Sequence, residues 1–589
     1  MQTQHLSNDL LYQSFLLGAE NVIREKNTLN AINVFPVPDS DTGTNLAAMM
    51  RSIITHAKQG KTPKETMESI ADAAIMGARG NSGIIFAEYI HGFAADLPDD
   101  EVGVDSLITV AHNAAKKAYH AISKPVEGTI ITLMRTWAGA LDRLKGVSNN
   151  LIDLLAKAYD VVLQELDRTP EMLPVLKENN VVDAGAKGFV HFLEGFARAL
   201  RGETLSEDLK IDQDKPVIHV EHLEASQTRY CTEALLRGKD LNVDQIRHML
   251  ESFGDSVVVA GSDRMLRVHV HTDQPDEIFA GLEPYGQILE QKVDDMRRQF
   301  EAANQRKYDI ALVTDSIADL PQSMIDQYQI HMIPIGLTIN DVNYFDKVTI
   351  QSSRFYGMMD SLKVYPTSSL PNEKTLEDFF SFLTTHYKTI LVMTVSSQMS
   401  GTNQVFQKVA AKFPETDIKV IDSRQNSGAQ GLLVMTAAKL IEEGLPVDEI
   451  ASRLEDLRQK TRILVSVQTL KYMVRSGRLS KVSGLMGKVL NLKPVVSIDD
   501  EGKGIIFAKA LSIKKSNRLI EAHMREMADK HGIETYAIVH ANADKRAAEY
   551  ARIYENMLGK QPAYIMDIST IVAMNAGIGT VAIAYIRKD

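Results

Sequence analysis

Apolar residues recur at helical spacing through about the first third of this chain, and this pattern restricts the fold more than any other feature. Over residues 6–201 they return every three or four positions, while alternating runs of β-branched residues are scarce. A clear example is the run Phe189, Leu193, Phe196 and Leu200. Helix-breaking residues interrupt the segment at Pro36, Pro38, Gly60, Gly80, Pro98, Pro125, Gly146 and Pro170. The segment is therefore predicted to form an all-α domain of about eight helices.

The rest of the chain changes character twice. Residues 203–214 are polar and rich in charge, which is typical of a linker. Residues 216–300 then mix strand-like and helix-like runs, and from Lys307 onward short apolar strands alternate with helices. Because 589 residues are too many for one hydrophobic core, we predict three domains, at residues 1–203, 215–302 and 307–589.

The second domain is predicted to be a small α+β fold. Strands are expected at residues 217–220, 256–260 and 266–271, and helices near residues 241–252 and 275–283.

The third domain has the pattern of an α/β fold with a parallel sheet. Predicted strands at residues 310–313, 389–394 and 419–421 each run into a turn that carries hydroxyl groups. Because the carboxyl ends of parallel strands share one edge of a sheet, these turns predict a ligand crevice there.

Composition excludes several classes of protein. A net charge of −11 argues against a general nucleic-acid binder, and a single cysteine, Cys231, excludes a disulfide framework within the chain. The N-terminus lacks the pattern of a signal peptide, and no apolar run approaches the roughly 20 residues that span a bilayer. We therefore expect a cytoplasmic protein with no transmembrane segment.

The loop at residues 33–45 combines two carboxylates, Asp39 and Asp41, with a turn rich in hydroxyl groups that opens onto an apolar helix. Hard oxygen ligands followed by exposed backbone N–H groups suit Mg²⁺ and the phosphates of a nucleotide. The same residues also fit a plain helix entry, with Thr44 or Asn45 as its cap. The loop alone leaves both interpretations open.

Three other turns place glycine, serine or threonine directly before a helix, at residues 76–83, 127–129 and 182–188. Each could be an ordinary helix cap. Together, and in one domain with the acidic loop, they favour an anion site built from bare backbone N–H groups.

His269 and His271 lie two residues apart in a predicted strand, so both side chains point to one face and the flanking valines to the other. With Cys231 they could form a three-ligand zinc site that leaves a fourth position open. The alternative is a buried thiol beside two hydrogen-bonded histidines.

The N-terminal domain resembles the DhaL-type nucleotide-binding domain of dihydroxyacetone kinases, and more closely the kinase domain of bacterial fatty acid kinase. The resemblance lies in the motifs PVPDSDTGTN, GARGNSG, KPVEGTI and VVDAGAKG, in this order. It implies an antiparallel barrel of eight helices that holds ATP and a pair of Mg²⁺ ions at one end.

The same resemblance implies roles for individual residues. The metal ions would be held by Asp39 and Asp41, with Asn33 where related kinases often place another carboxylate. The nucleotide would be bound by Thr42, Gly43, Thr44, Asn45, Gly80, Asn81, Ser82, Gly83, Thr129, Asp183 and Gly185. Ser40 departs from the usual glycine between the two aspartates, and its Cβ could restrain a tight turn and lower activity.

The middle domain resembles that of fatty acid kinase, whose Cys and His-x-His positions match Cys231, His269 and His271. The resemblance implies a metal-binding or catalytic role for these three residues.

Residues 308–589 resemble the DegV family of fatty-acid-binding proteins. The resemblance lies in VTDSIADLP, YPTSSLPN, SSQMSGTNQ, VIDSRQNSGAQG, YMVRSGRLS and VLNLKPVVSIDDEGKG. It implies a two-lobed α/β domain whose apolar tunnel holds an acyl chain, with the carboxylate bound by Ser368 and Ser400 and with Arg478 in the surrounding network. Asn575 stands where the family typically has histidine, and asparagine can donate hydrogen bonds but cannot carry positive charge.

These resemblances predict an ATP-dependent kinase that phosphorylates the carboxylate of a fatty acid and gives an acyl phosphate. The alternatives are a kinase for a small hydroxyketone of the glycerone type and a non-catalytic lipid carrier or sensor. The expected cofactors are ATP and Mg²⁺, with Zn²⁺ as a further candidate. The expected partners are a fatty acid, a separate DegV-type carrier or acyltransferase, a second copy of the chain in a homodimer and, transiently, a membrane surface.

Overall fold

The computed structural model of the chain describes residues 5–35, 41–148, 150–206, 228–476 and 492–589. The chain divides into two units, residues 1–300 and 301–589. No helix among the described residues is long and apolar enough to cross a membrane.

Helices make up almost all of the described N-terminal domain. In chain order they are α1 (Asn8–Arg24), α2 (Lys26–Ala31), α3 (Thr42–His56), α4 (Pro63–Gly77), α5 (Gly80–Ala95), α6 (Val104–His120), α7 (Ile130–Leu144), α8 (Leu151–Leu166), α9 (Thr169–Met172), α10 (Pro174–Glu178) and α11 (Ala184–Leu200). Helices α2, α9 and α10 have six, four and five residues, and the other eight have 15 to 17. The prediction of an all-α fold with about eight main helices is confirmed. A small antiparallel pair, β1 (His5–Leu6) and β2 (Val102–Gly103), accompanies them.

Aromatic side chains fill the core between α1, α5 and α11. Phe192 packs edge-on against Phe15 and Phe86, with ring centroids 5.3 and 5.1 Å away. Helices α1 and α11 approach each other closely at Gly195, which has no side chain. A Cβ there would stand 2.3 Å from the Leu17 carbonyl oxygen, so no larger residue fits.

The middle domain is an antiparallel sheet with two helices on one face. Its strands are β3 (Tyr230–Gly238), β4 (Gly254–Gly261), β5 (Met265–Thr272) and β6 (Gly286–Asp295), in the order β4-β5-β3-β6, and its helices are α12 (Val243–Glu251) and α13 (Pro275–Leu282). Helix α12 packs on β4, while α13 packs on β3 and β6. Helix α14 (Met296–Asn304) follows β6 in the chain. The sequence predicted β4, β5, α12 and α13 but missed β3 and β6, and the strand predicted at residues 217–220 lies outside the described residues.

The other face of this sheet packs on the helical domain within the same unit. Strands β4 and β5 contact α4 and α5. Leu235, Val258 and Ala260 of the sheet belong to the hydrophobic core of the helices. The first two domains therefore share one core.

The second unit alternates strands and helices. Its strands are β7 (Ile310–Asp315), β8 (His331–Ile333), β9 (Gly336–Ile339), β10 (Val342–Phe345), β11 (Thr367–Ser369), β12 (Thr389–Thr394), β13 (Asp417–Asp422), β14 (Thr461–Ser466), β15 (Val495–Ile498), β16 (Gly504–Ala508), β17 (Ile533–His540), β18 (Ile565–Asp567) and β19 (Val581–Arg587). Its helices are α15 (Gln322–Gln327), α16 (Ser352–Met359), α17 (Glu373–His386), α18 (Thr402–Ala410), α19 (Ser427–Glu442), α20 (Val447–Lys460), α21 (Lys471–Ser476), α22 (Ile513–His531), α23 (Asp544–Leu558) and α24 (Thr570–Ala576).

These strands form three sheets in the described part of the unit. A four-stranded sheet, β13-β12-β7-β8, is parallel throughout, as the sequence predicted. A three-stranded antiparallel sheet has the order β10-β9-β11. The six-stranded sheet β16-β15-β14-β19-β17-β18 is antiparallel except for the pair β17 and β18.

Two buried carboxylates tie the segments that follow β7 and β10 to the beginning of α24. Asp319 accepts the backbone N–H of Ser569 at 2.9 Å. Asp346 accepts the backbone N–H of Thr570 at 2.8 Å and the Ser316 hydroxyl at 2.6 Å. Burial raises the pKa of both aspartates, so their hydrogen bonds are needed to offset the loss of hydration.

We predict that Asp346→Ala destabilises the second unit by about 3 kcal/mol, because it leaves buried donors without an acceptor. Hydrogen-exchange mass spectrometry in urea, read on peptides from residues 301–589, measures the change. The matched control is Asp378→Ala, which removes an exposed carboxylate that pairs with Lys374 one helical turn away on α17. That control should cost less than about 0.5 kcal/mol, and equal effects of the two substitutions would contradict the prediction.

Candidate functional site

The first turns of α3, α5 and α11 lie next to one another. Asn45 of α3 touches α5, since a Cβ built on Gly80 would stand 2.4 Å from its Nδ2. Ser82 of α5 touches α11, since a Cβ built on Gly185 would stand 2.9 Å from its Oγ. Gly80 has φ near +60°, a left-handed conformation that glycine adopts without strain. Backbone geometry therefore favours glycine at position 80, and the absence of a side chain at Gly185 allows Ser82 to pack closely against α11.

Asp183 links the start of a fourth helix, α7, to the first turn of α11. Its carboxylate accepts the backbone N–H of Ala186, at 2.7 Å in the first turn of α11, and also the N–H of Ile130 at the start of α7. Burial raises the pKa of Asp183 to about 7, although both hydrogen bonds oppose the rise. Thr129, the N-cap of α7, donates its hydroxyl to the Val126 carbonyl at 2.8 Å.

Four helix N-termini at one place form a favourable environment for anions. Among these described helices, the N-cap residues Asp41, Arg79 and Thr129 make no side-chain cap hydrogen bond to α3, α5 and α7. First-turn N–H groups and the positive ends of the helix dipoles are what a phosphate chain requires. Asn81 adds a buried side-chain oxygen without a partner among the described residues. The residues present therefore fit a nucleotide.

The start of α3 separates residues that were predicted to act together. The Thr42 hydroxyl donates to Asn33 Oδ1 at 2.8 Å, and both side chains are buried. Thr44 instead bonds to Asn30 through its hydroxyl, at 2.9 Å, and through its backbone N–H, at 3.0 Å. A Cβ at Gly43 would stand 2.1 Å from a carbonyl oxygen of α2. Gly43 thus packs against α2, and Thr44 links the start of α3 to α2. For these two residues the contacts agree with the interpretation of the loop as a plain helix entry.

Asp41 is the described carboxylate of the acidic loop. It is the N-cap of α3. Burial and Glu233 raise the pKa of Cys231, and Asp294 and Glu233 raise the pKa of Lys292 against desolvation; the charge of Asp41 adds to both shifts in the same direction. With Asn33, Asp41 offers the oxygen ligands that Mg²⁺ prefers, so the residues present fit a magnesium site. The predicted ligand Asp39 lies outside the described residues, as does Ser40.

Strand register gives the middle-domain sheet one polar face, and this face is turned toward the nucleotide loops. Two residues of β3 lie directly opposite two of β5 and two of β6, and opposite residues of an antiparallel pair share a face. The six are Cys231, Glu233, His269, His271, Lys292 and Asp294. Val268 and Val270 lie on the opposite face and are fully buried, which confirms the period of two predicted for this strand.

The polar face holds both ends of the turn between α4 and α5. Arg267, which is buried, donates to the Met76 carbonyl at 2.6 Å and to Glu290 at 3.0 Å. At the other end the Gly80 N–H donates to Glu233 Oε1 at 2.7 Å. The predicted phosphate-binding turn is thus braced by side chains of the middle domain.

Cys231, His269 and His271 form a compact cluster. One candidate ligand atom from each lies within 4.8 Å of the others. The Cys231 sulfur is 3.8 Å from His269 Nδ1, and the two imidazole centroids are 4.9 Å apart. His269 Nε2 is buried and has no partner among the described residues. One thiol, two imidazoles and a buried ring nitrogen without a partner fit a zinc ion with one open position.

Burial and neighbouring charges set the protonation of this cluster. Desolvation, with the adjacent charge of Glu233, raises the pKa of the Cys231 thiol well above its usual value. Desolvation and His269 lower the pKa of His271 to about 3, so its imidazole is neutral, as a metal ligand must be. Desolvation disfavours the charged form of Glu233, but His269, Lys292 and the Gly80 N–H outweigh it and lower the pKa of this carboxyl to about 2.

The second unit contains a cavity of about 120 Å³ whose walls are mostly apolar. It lies between the parallel sheet and the six-stranded sheet, with Val395 after β12 on one side and Val465 and Ala582 of β14 and β19 on the other. Such a cavity suits an apolar ligand.

Three of the four residues predicted to bind a carboxylate, Ser368, Ser400 and Asn575, line this cavity. The Ser400 hydroxyl is 2.7 Å from the Thr402 hydroxyl. Asn575 donates to the Ile571 carbonyl at 2.7 Å, and its Oδ1 is buried with no partner among the described residues. The fourth predicted residue, Arg478, lies outside the described residues.

Three family models match separate parts of the chain. Residues 36–198 match the DAK2 domain, residues 227–303 match the middle domain of fatty acid kinase-like proteins, and residues 309–588 match the DegV family of uncharacterised proteins. The chain joins a DAK2 domain, a fatty acid kinase-like middle domain and a DegV domain. The predicted resemblances are confirmed.

Similar proteins match part of this chain. An uncharacterized protein of Staphylococcus epidermidis is 31% identical over 367 residues, which are 57% of this chain and 66% of that protein. Protein YloV of Bacillus subtilis is 31% identical over 315 residues, which are 51% of this chain and 57% of that protein. The chain therefore covers less than two thirds of either relative.

Solved structures resemble the DegV domain. DegV, a fatty acid binding protein from Bacillus subtilis, is 27% identical, with a TM-score of 0.45, and the match covers 48% of this chain and 100% of that one. A fatty acid binding DegV family protein from Streptococcus agalactiae is 26% identical, with the same TM-score, and the match covers 48% of this chain and 99% of that one.

The sequence reasoning missed Glu233, Arg267 and Lys292. Lys292 pairs with Asp294 at 2.7 Å, and the field of its acidic neighbours outweighs desolvation and raises its pKa well above the usual value. Glu233 could have been found, because it follows Cys231 by two residues and shares its strand face. That inference required β3 to be recognised as a strand.

We predict that Cys231→Ser or His269→Ala lowers zinc in the purified protein from about one equivalent to a small fraction of that, because three protein ligands are the minimum for such sites. Inductively coupled plasma mass spectrometry measures the metal. The control is His248→Ala, whose ring is 78% exposed on α12 of the same domain and which should keep its zinc. Equal zinc in all four proteins would show that the cluster binds none.

We predict that Asp183→Asn changes how the DAK2 domain responds to pH. An unfolded aspartate has a pKa of about 3.9, whereas folding raises the pKa of Asp183 to about 7. Between these values the folded state binds the extra proton, so the wild type loses stability relative to Asp183→Asn as pH rises from about 4 to about 7, by up to about 1.4 kcal/mol per unit.

Urea unfolding followed by the fluorescence of Trp137, the single tryptophan, measures this difference, because this residue is buried in the DAK2 domain. Asp142→Asn, an exposed carboxylate on α7, is the control and should track the wild type. A constant offset between wild type and Asp183→Asn at every pH would contradict the assignment.

Proposed function

We propose that this protein is an ATP-dependent kinase of the fatty acid kinase type that converts a fatty acid into an acyl phosphate, with ATP and Mg²⁺ as cofactors. The observation that carries the proposal is the meeting of four helix N-termini beside Asp41, in a chain that also has an apolar cavity lined by Ser368, Ser400 and Asn575. The first feature suits a polyphosphate and the second an acyl chain with a polar head group.

The chemistry requires little from the protein beyond positioning and charge neutralisation. A carboxylate oxygen of the fatty acid attacks the γ-phosphorus, the bond from that phosphorus to the β,γ-bridging oxygen breaks, and ADP leaves with the electron pair. The carboxylate is already ionised at neutral pH, so the reaction needs no general base.

Different residues of the DAK2 domain would bind the phosphates and the metal ion. First-turn N–H groups of α3, α5 and α7, other than the hydrogen-bonded ones of Thr44, Gly80 and Ile130, would bind and orient the phosphates. Thr42, Asn45 and Ser82 would add side-chain contacts. Asp41, with Asp39 and Asn33, would hold Mg²⁺, which supplies positive charge to the phosphates when bound. Lys292 would add positive charge from the middle domain.

The DegV domain would bind the acyl substrate. Its apolar walls remove the chain from water at about 25 cal/mol per Å² buried, while the Ser368 and Ser400 hydroxyls and Asn575 offer hydrogen bonds to the head group. A separate DegV-type carrier is a proposed partner in the same reaction, as is an acyltransferase that uses the acyl phosphate.

We predict that Asp41→Ala lowers ATP turnover at least about a hundredfold, because it removes a charge that organises the phosphates. Purified full-length protein receives Mg·ATP and either palmitate or dihydroxyacetone, and ADP and hydroxylamine-trapped acyl phosphate are measured, with and without an added DegV-type carrier. The matched control is Asp142→Ala, an exposed carboxylate of the same domain, which should keep wild-type activity.

The lipid site is tested in parallel by mass spectrometry of ligand retained in the native protein. Asp41→Ala should retain as much fatty acid as the wild type, whereas Ser400→Ala should retain less. ATP turnover with dihydroxyacetone but not with palmitate would identify a glycerone-type kinase instead. Retained lipid together with no ATP turnover under any condition would identify a carrier and defeat the kinase proposal.

A further inference from the structure

Glu233 hydrogen-bonds the loop at the start of α5 and also lies against His269 of the Cys231–His269–His271 cluster. Its Oε1 accepts the Gly80 N–H at 2.7 Å and lies 3.4 Å from His269 Nδ1. The side chain is 1% exposed, and its Oε2 is buried with no partner among the described residues. A single oxygen atom thus connects two sites that lie in different domains.

On the loop side, Glu233 fixes the residue on which the nucleotide site depends. Gly80 opens α5, and its conformation with φ near +60° places it against Asn45 of α3. Arg79 is the N-cap of α5, but its side chain makes no cap hydrogen bond to the helix. The Glu233 carboxylate accepts the first N–H of α5 instead. A displacement of this carboxylate would move Gly80 and, with it, the contact between α3 and α5.

On the cluster side, Glu233 lies where a carboxylate commonly supports a metal-binding histidine. Such histidines usually pair their second ring nitrogen with a carboxylate, which fixes the tautomer and the orientation of the ring. In turn, a cation bound at the cluster would attract the carboxylate and hold His269 in one orientation. The position of Glu233 then depends on whether the cluster is occupied.

Arg267 provides an internal comparison. It braces the same turn through the Met76 carbonyl and pairs with Glu290, yet neither it nor Glu290 belongs to the Cys231–His269–His271 cluster. A purely structural brace would act like Arg267 and would not respond to a cation at the cluster.

We propose that Glu233 couples the cluster to the nucleotide site, so that Zn²⁺ bound by Cys231, His269 and His271 holds the Gly80 loop in its binding conformation and strengthens ATP binding. The inference rests on the nucleotide site of the proposed function and adds a positioning residue and a regulating ion to it. Because coupling between two sites is reciprocal, ATP must strengthen Zn²⁺ binding by the same factor.

The test uses the full-length protein, loaded with Zn²⁺ or stripped with a chelator that is then removed. Isothermal titration calorimetry measures the affinity for Mg·ATP in both states. The wild type should bind ATP about 5 to 150 times more tightly when loaded, the usual range of coupling between sites. A competing chelating dye should report the same factor for Zn²⁺ affinity with and without Mg·ATP.

Three variants separate coupling from simple bracing. Glu233→Gln keeps an acceptor for Gly80 but loses the charge, and Glu233→Asp keeps the charge but shortens the reach. In both, the ratio of loaded to stripped ATP affinity should fall to within about twofold of one. Glu290→Gln, the matched control, should weaken ATP binding in both states and leave the ratio as in the wild type. Circular dichroism and zinc content confirm that each variant is folded and loaded.

The outcomes also separate this inference from the kinase proposal. Equal ATP affinity of loaded and stripped wild type, failure of the wild type to bind Zn²⁺, or an unchanged ratio in both Glu233 variants each overturns the coupling. In those cases fatty acid turnover can still support the kinase. Absence of ATP binding in every state overturns both proposals.

Discussion

The turn between α4 and α5 is held from both ends by the middle domain, and the geometry of the nucleotide site depends on that restraint. Arg267 donates to the Met76 carbonyl in the last turn of α4, and Glu233 accepts the first N–H of α5. Both side chains are almost fully buried, so each would be costly to leave without a hydrogen-bond partner, on the order of 1 to 3 kcal/mol or more for a charged group. The two residues between these helices, Ala78 and Arg79, thereby acquire a fixed backbone shape.

The middle-domain sheet packs against two different surroundings because its side chains alternate between its two faces. On one face Val268 and Val270 are fully buried. The other face places a row of ionisable groups against the N-terminal ends of helices, where the dipoles favour negative charge. A thiol, two imidazoles, a lysine and carboxylates can coexist there because each has a charged or polar neighbour. The middle domain is therefore part of the candidate site as well as a connection between domains.

The DegV domain follows a different principle. Its cavity forms where strands of the parallel sheet end and face the six-stranded sheet, and strand ends leave polar groups at the rim of an apolar space. Asp319 and Asp346 hold the start of α24 beside this cavity. Buried hydrogen bonds that are fully satisfied restrict the domain to one arrangement, which keeps Asn575 of α24 at the cavity wall.

The sequence by itself determined what depends on local periodicity. Spacing of apolar residues gave the eight main helices, the parallel strands β7, β12 and β13, and the common face of His269 and His271, because each follows from repeats of 3.6 or two residues. Family motifs placed Asp183, Ser82 and Gly185 in one site, and the structure brings these three together.

Tertiary structure alone decided which distant residues meet. Glu233 contacts Gly80 across 153 residues, and no local pattern near either residue encodes that pairing. Packing likewise gave Gly43 and Thr44 to the contact between α2 and α3, and it placed Asn575 at the wall of the cavity. Local propensity fixes where each side chain points within its own element. Only the burial of one element against another fixes which side chains share a site, because that choice depends on the shape and charge of both surfaces.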